Sequence, residues 1–162
     1  MSEKKVAILE KLAAARGELL AFVAGLDEEA WKTAVFASES DDPLASWSAL
    51  DILRHLVNAE WGMTGLMMNI QSGKGGVPED FDRSRYNNRS VAKIVNKPPS
   101  ELVASLEKNR VRLLAFIDTL SEEDWGKEGR HASLNIYTIE EICHIIADHE
   151  RDHIKDIQQA LS

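Results

Sequence analysis

The chain has 162 residues, enough for one domain that buries a core without disulfides or a structural metal. Nineteen Lys plus Arg against 27 Asp plus Glu give a formal charge of −8, which argues against nucleic acid and against an anionic membrane surface as partners. The single cysteine, Cys143, excludes an intrachain disulfide and fits a reducing, cytoplasmic compartment. The longest apolar stretch, residues 19–26, falls far short of the roughly 18 residues of a membrane span. The charged start (Glu3, Lys4, Lys5) reads as no signal peptide.

In chain order, the first predicted helix covers about residues 2–25, with Val6, Leu9, Leu12, Ala13, Leu19, Phe22, Val23 and Leu26 recurring at threes and fours. The second starts at Ser48, an N-cap with Asp51 three residues on, and reaches about Gln71. Residues 72–97 are too long for a tight turn; they open with the flexible-looking SGKGGVP and carry a short helix over about 84–95. The third long helix follows Pro98-Pro99-Ser100 and runs to about Thr119. The fourth is capped by Thr138, with Glu141 at the capping-box position, and runs to about Leu161. Pro43, Pro78, Pro98 and Pro99 all fall outside these segments. No stretch alternates with period two, so no sheet is predicted. Four helices of roughly 20 residues predict an all-α four-helix bundle about 30 Å long, with residues 1–162 as one domain. The long connection between the second and third helices lets them run parallel, an up-down-down-up order.

An internal repeat sharpens this. Residues 16–31 read RGELLAFVAGLDEEAW and residues 110–125 read RVRLLAFIDTLSEEDW, identical at nine of sixteen positions at an offset of 94. WSALDI from Trp47 then aligns with YTIEEI from Tyr137 at an offset of 90. The chain reads as two copies of a helix–loop–helix unit.

The apolar stripe of the fourth helix is Ile139, Ile142, Ile146, His149, His153, Ile157 and Ala160; that of the second is Ile52, His55, Ala59, Met63, Leu66 and Ile70. Two imidazoles at i, i+4 point the same way, about 40° apart around the axis, the spacing at which one helix offers two ligands to one metal. His55 on a facing seam completes a three-histidine set with open coordination positions. In the repeat, Ala59 and Met63 stand where His149 and His153 do, and Ile145 stands where His55 does, so the set breaks the internal symmetry. Ala59, one turn after His55, leaves room for a ligand. His144 is about 180° around the helix from His153 and is read as a bystander. His131 is read as a surface loop residue, and Cys143 as a buried, inert thiol.

His149 to His153 spells H-E-x-x-H, the zinc metalloprotease pattern, but the nine residues after His153 hold neither Glu nor His as a downstream third ligand. Glu150 lies about 60° from His153 around the helix and is the candidate catalytic base. Glu150-x-x-His153 also resembles half of a di-iron site, but the repeat partner, Glu60-x-x-Met63, lacks the second histidine.

The segments WSALDILRHLVNAE (47–60), FDRSRYN (81–87) and ICHIIADHERDHIKDIQ (142–158) resemble the DinB-like superfamily of metal-binding four-helix bundles. The resemblance covers nearly the whole chain. It implies an up-down-down-up bundle, a homodimer, and one divalent metal on a histidine triad that falls on His55, His149 and His153. It also implies either a transferase or isomerase using a low-molecular-weight thiol or a metal-dependent hydrolase. The combined expectation is a mononuclear enzyme that activates a thiol or water as nucleophile toward a small electrophilic substrate. Asp152 and Asp156 are candidate partners of the imidazole N–H groups, and Trp47, Ala59, Trp61 and Met63 candidate pocket residues. Three imidazoles suit Zn, Ni or Fe(II). A bundle that binds metal or a small ligand without catalysis is the alternative.

Overall fold

The computed structural model describes residues 1–35 and 47–162, so Pro43 lies outside the described residues. Four long helices carry the architecture: α1 (Glu3–Ala24), α3 (Ala49–Gln71), α5 (Pro99–Asp118) and α6 (Ile139–Leu161), with short α2 (Glu28–Trp31) and α4 (Arg83–Lys93) between them. Their starts follow local chemistry. Ser2 accepts from the Lys5 amide at 3.2 Å to open α1, and Pro99 occupies the first turn of α5, where a missing N–H costs nothing. Ser48 with Asp51 and Thr138 with Glu141 form complete capping boxes on α3 and α6, each cap stabilising its helix by about 1 kcal/mol.

Contrary to the all-helical expectation, the chain pairs two antiparallel ribbons: β1 (Ala34–Val35) with β2 (Trp47–Ser48), and β3 (Glu128–Arg130) with β4 (Ile136–Thr138). Strands of two or three residues are too short to write a period-two pattern. Their task is to steer the chain into the capped helices. The Ala49 amide donates to the Thr33 carbonyl at 2.9 Å, and the Ile139 amide to the Lys127 carbonyl at 2.9 Å.

The glycine-rich start of the 72–97 connection is sewn to β3. The Val77 amide donates to the Arg130 carbonyl at 2.9 Å, and a Cβ on Gly76 would stand 2.1 Å from that oxygen. Glycine is needed here for a backbone-on-backbone approach, and this fixes the loop beside the mouth of a cavity.

Among the described residues, the extensive contacts between long helices are α1 with α6, α3 with α5, and α3 with α6. The core has two apolar clusters, each drawing on all four long helices. One includes Ile8, Leu12, Met67, Ile70, Leu113, Ile117, Ile142 and Ile146; the other includes Leu19, Ile52, Leu56, Leu102, Leu106 and Ile157. Each such side chain contributes about 1.5–3 kcal/mol on burial. On each helix one charged residue falls between the two layers: Arg16, Glu60, Arg110 and Glu150.

Candidate metal centre

Those four charges form a closed network at the waist of the bundle. The Arg16 guanidinium donates to Glu60 Oε1 through Nη2, and to Glu150 Oε1 through Nε at 3.1 Å and Nη2 at 2.6 Å. Arg110 donates to Glu60 at 3.2–3.3 Å and to Glu150 at 3.0 Å. Each arginine also caps a carbonyl on the opposite helix: Arg16 Nη1 to Leu106 O at 3.0 Å, Arg110 Nη1 to Leu12 O at 2.8 Å. Two cations against two anions neutralise the set. Burial nevertheless pushes the Glu150 carboxyl above its ordinary range, against the opposing pull of Arg16 and Arg110. Glu150 Oε2 is buried with no hydrogen-bond partner among the described residues. The carboxylate read from sequence as a base is therefore held by two guanidinium groups. Its repeat partner Glu60 shares them, so the pair of E-x-x-x positions that suggests a di-iron site binds arginine instead.

Next to this network, the three histidines converge. His55 comes from α3, His149 and His153 from α6. His55 Nε2 lies 3.0 Å from His149 Nε2, which lies 3.1 Å from His153 Nε2. A tetrahedral ion with M–N bonds of about 2.0–2.1 Å separates its nitrogens by about 3.3 Å, so these two spacings fit one divalent ion with slight expansion. Among the described residues, this is the group whose potential ligand atoms all lie within 4.8 Å of one another, and it includes no carboxylate. The i, i+4 spacing brings the two α6 rings together, with centroids 4.5 Å apart.

The surroundings orient the rings. Asp156 Oδ2 accepts from His153 Nδ1 at 3.1 Å, which keeps a proton on Nδ1 and presents the Nε2 lone pair to the cluster. Asp152, the other candidate partner, is exposed and makes no contact of this kind among the described residues. Trp47 packs on His55 with centroids 5.0 Å apart, and its Nε1 donates to Asn88 Oδ1 at 3.0 Å. It steadies the histidine and does not line the cavity.

That cavity, about 610 Å³, opens directly on the cluster: His55 and His149 are in its wall, with Ala59, Trp61, Met63 and Ile145. Ala59, Trp61 and Met63 are thus placed in the cavity wall. Among the wall residues that sequence reading missed, two stand out. His131, read as a surface loop residue, is half-buried in the cavity wall, because the connection after α3 packs against β3 and β4. Its Nδ1 accepts from the Ser133 amide at 3.1 Å, which leaves the proton of the neutral ring on Nε2. The second is Arg112, across α3 from the histidines. His131 carries no local pattern, and the Gly76 approach to β3 brings its loop to the wall, whereas Arg112 stands on α5 over Trp61. His144 sits away from the cluster, 3.3 Å from Lys11 Nζ. Cys143 is fully buried, its Sγ 3.7 Å from Met67 Sδ, and burial first, with the Glu140 charge second, pushes its thiol up to about 12, so it is inert.

The family model described as the DinB superfamily matches residues 11–157. Among solved structures the chain is similar to YfiT from Bacillus subtilis, described as a probable metal-dependent hydrolase with an unusual four-helix bundle topology. The TM-score is 0.72 at 17% identity, over 99% of this chain and 87% of that one. It is also similar to TT2238, a four-helix bundle protein, with TM-score 0.65 and 18% identity over 96% and 98% of the two chains. A third likeness is to the mycothiol-dependent maleylpyruvate isomerase, with TM-score 0.70 and 17% identity over 93% of this chain and 60% of that longer one. At these identities the likeness is one of fold. No curated protein matches the sequence.

Proposed function

The chain belongs to the DinB superfamily, and on that premise we propose that it is a mononuclear metalloenzyme which activates a thiol or a water molecule as nucleophile toward a small electrophilic substrate. One observation carries the reading: three imidazole Nε2 atoms face a common point at the wall of a cavity large enough for a small molecule. Three protein ligands beside open space are the arrangement of a catalytic metal, whereas four would be that of a structural one. The ion, when bound, supplies Lewis acidity that lowers the pKa of a bound water or thiol toward neutrality.

The remaining roles belong to the chain. Asp156 holds the His153 proton at Nδ1 and so fixes the ligating tautomer. Trp47 packs on the His55 ring and limits its rotation. Ala59, Met63 and Ile145 give the cavity an apolar wall that excludes water around the nucleophile. Glu150 acts as an anchor: with Arg16 and Arg110 it ties α6, which carries two of the three histidines, to α1 and α5.

The likeness to a mycothiol-dependent isomerase supports the thiol branch and the likeness to YfiT supports the water branch. Metal analysis of the purified protein tests the shared core. We expect close to one equivalent of divalent metal in the parent and none in His149→Ala; a parent that takes up no metal from a Zn, Ni or Fe(II) solution overturns the reading. Thiol-independent ester cleavage by the loaded protein then selects water, and turnover only with an added low-molecular-weight thiol selects the transferase. As part of the same proposal, the helices run up-down-down-up and the chain is a duplication. In support, α1 and α6 pass from the Ile8 layer to the Leu19 layer while α3 and α5 pass the other way. The Arg16–Leu106 and Arg110–Leu12 bonds also exchange under the offset of 94.

A further inference from the structure

The cavity inverts the acidic balance of the chain. The sequence holds 27 Asp plus Glu, yet among the described residues no Asp or Glu lines the cavity, while Arg83, Arg112 and three histidines do. Neither arginine has a carboxylate partner among the described residues, in contrast to Arg16, Arg54, Arg110, Arg130 and Arg151.

The contrast is sharpest at two contacts that the repeat equates. On one side, Glu18 of α1 accepts from Arg151 of α6 at 2.9 and 3.1 Å. The offsets of 94 and 90 carry Glu18 to Arg112 and Arg151 to Trp61. There the acid has become a cation and the cation an indole. Arg112 lies 3.6 Å over the Trp61 ring and donates to the Trp61 carbonyl at 2.9 Å. This fixes the guanidinium in place without neutralising it. Partial burial also lowers its pKa from the ordinary arginine value.

Below it, α3 has no side chains at two adjacent positions on one face, Gly62 and Gly65. A Cβ on Gly65 would lie 3.6 Å from Arg112 Nη2, and one on Gly62 would lie 3.8 Å from the Tyr86 hydroxyl. Glycine inside a helix lowers its stability. Two of them under a guanidinium and a phenol, both in the cavity wall, make a floor for a small acceptor group.

We propose that the cavity selects an anion: a ligand whose carboxylate pairs with Arg112 and accepts from Tyr86 over the Gly62–Gly65 floor, with its reacting atom at the histidine end. Arg83, at the start of α4, adds positive potential at the same wall. From His55 to Trp61 and Gly65 is six to ten residues along α3, about 9–15 Å at 1.5 Å per residue, so reacting atom and carboxylate are about 10 Å apart. The inference names the substrate class for the metal-centre reading and rests on that reading for the reacting end only.

The test is calorimetric titration with three isosteres of suitable length, 4-phenylbutanoate, 4-phenylbutanamide and 4-phenylbutylamine, on EDTA-treated and on zinc-loaded protein. The acid binds about tenfold tighter than the amide, one charge-assisted contact's worth, and the amine more weakly than either. Arg112→Gln brings acid and amide to within about twofold of each other. Arg112→Lys keeps part of the preference, because the charge remains and the fork is lost. Tyr86→Phe, at a residue already half in solvent, reduces the preference about threefold and guards against a folding artefact at Arg112. Equal binding of acid and amide by the parent, no binding of any of the three, or a preference that survives Arg112→Gln overturns the proposal. Anion preference without metal uptake sinks the metalloenzyme and leaves this site standing; metal uptake without anion preference does the reverse.

Discussion

The molecule contains two buried polar centres side by side, and they are built on opposite rules. The Arg16–Glu60–Arg110–Glu150 network uses positions that the repeat equates, 16 with 110 and 60 with 150, and returns the same interaction from each half. It is closed, charge-balanced and walled off by apolar layers. The His55–His149–His153 cluster uses positions whose repeat partners are Ile145, Ala59 and Met63, and it opens on a cavity. On the duplication proposed above, the matched positions serve cohesion and the unmatched ones provide the opening. A buried ion network stabilises little in net terms, because desolvation offsets most of its attraction, but it punishes any imbalance.

Substitutions can break this comparison in order of expected effect. The largest is Arg16→Met, which strands Glu60 and Glu150 with one guanidinium between them. It should cost about 3–5 kcal/mol in chemical denaturation. A loss under about 1 kcal/mol would mean that the network is not load-sharing. His149→Ala comes next: metal uptake is lost, while the melting temperature of the metal-free protein changes little or rises, since a small side chain suits a seam that holds Ala59 in the other half. Asp156→Asn keeps the three ligands but frees the His153 tautomer. Metal affinity should fall about 10–100-fold by competition titration with a chromogenic chelator. If it does not, the Asp156 contact is incidental.

The smallest effect lies outside both centres and serves as a control. Hydrogen bonds from Lys127, the Ser121 amide and Gln71 hold the Asp124 carboxyl well below the usual carboxylate range. Its stabilisation is fully present above about pH 4, the ordinary carboxylate value, and is lost as pH falls through the lowered folded value. Asp124→Asn should therefore lower Tm by a few degrees at neutral pH, with the gap to the parent closing in strong acid. Metal content should not change.

The helices were legible because their boundaries are written in single residues. Ser48, Asp51, Thr138, Glu141 and Pro99 each act within one turn, and the structure uses all five as caps or first-turn residues. The histidine set was legible for a similar reason: i, i+4 spacing on an apolar stripe is a local code, and His55 shows the same stripe on a second helix. What stayed hidden depends on contacts between distant segments. Glu150 was read from its angle to His153, but two arginines from other helices decide where its carboxylate goes. A signal was available, since Arg16 follows Leu12 at i+4 on a buried stripe and opens the repeat with Arg110. Asp152 and Asp156 stand at the same i+3 spacing from a histidine, and only packing separates the exposed one from the bonded one. His131 reached the cavity through a backbone approach at Gly76 that no periodicity records.

One feature of the helix packing bears on how the chain reaches this state. The extensive helix contacts, α1 with α6, α3 with α5 and α3 with α6, all join the first half of the sequence to the second. Among the described residues, α1 with α3 and α5 with α6 make no extensive contact, so neither half packs its two long helices on each other, and each half supplies one arginine and one glutamate of the central network. The nascent N-terminal half must therefore wait for its counterpart, as one subunit waits for another in a dimer. Rates of folding fall as contacts become more distant in sequence. This bundle should fold more slowly than helical proteins of similar length built from sequential hairpins, and its first half should depend on protection until α5 and α6 have been made.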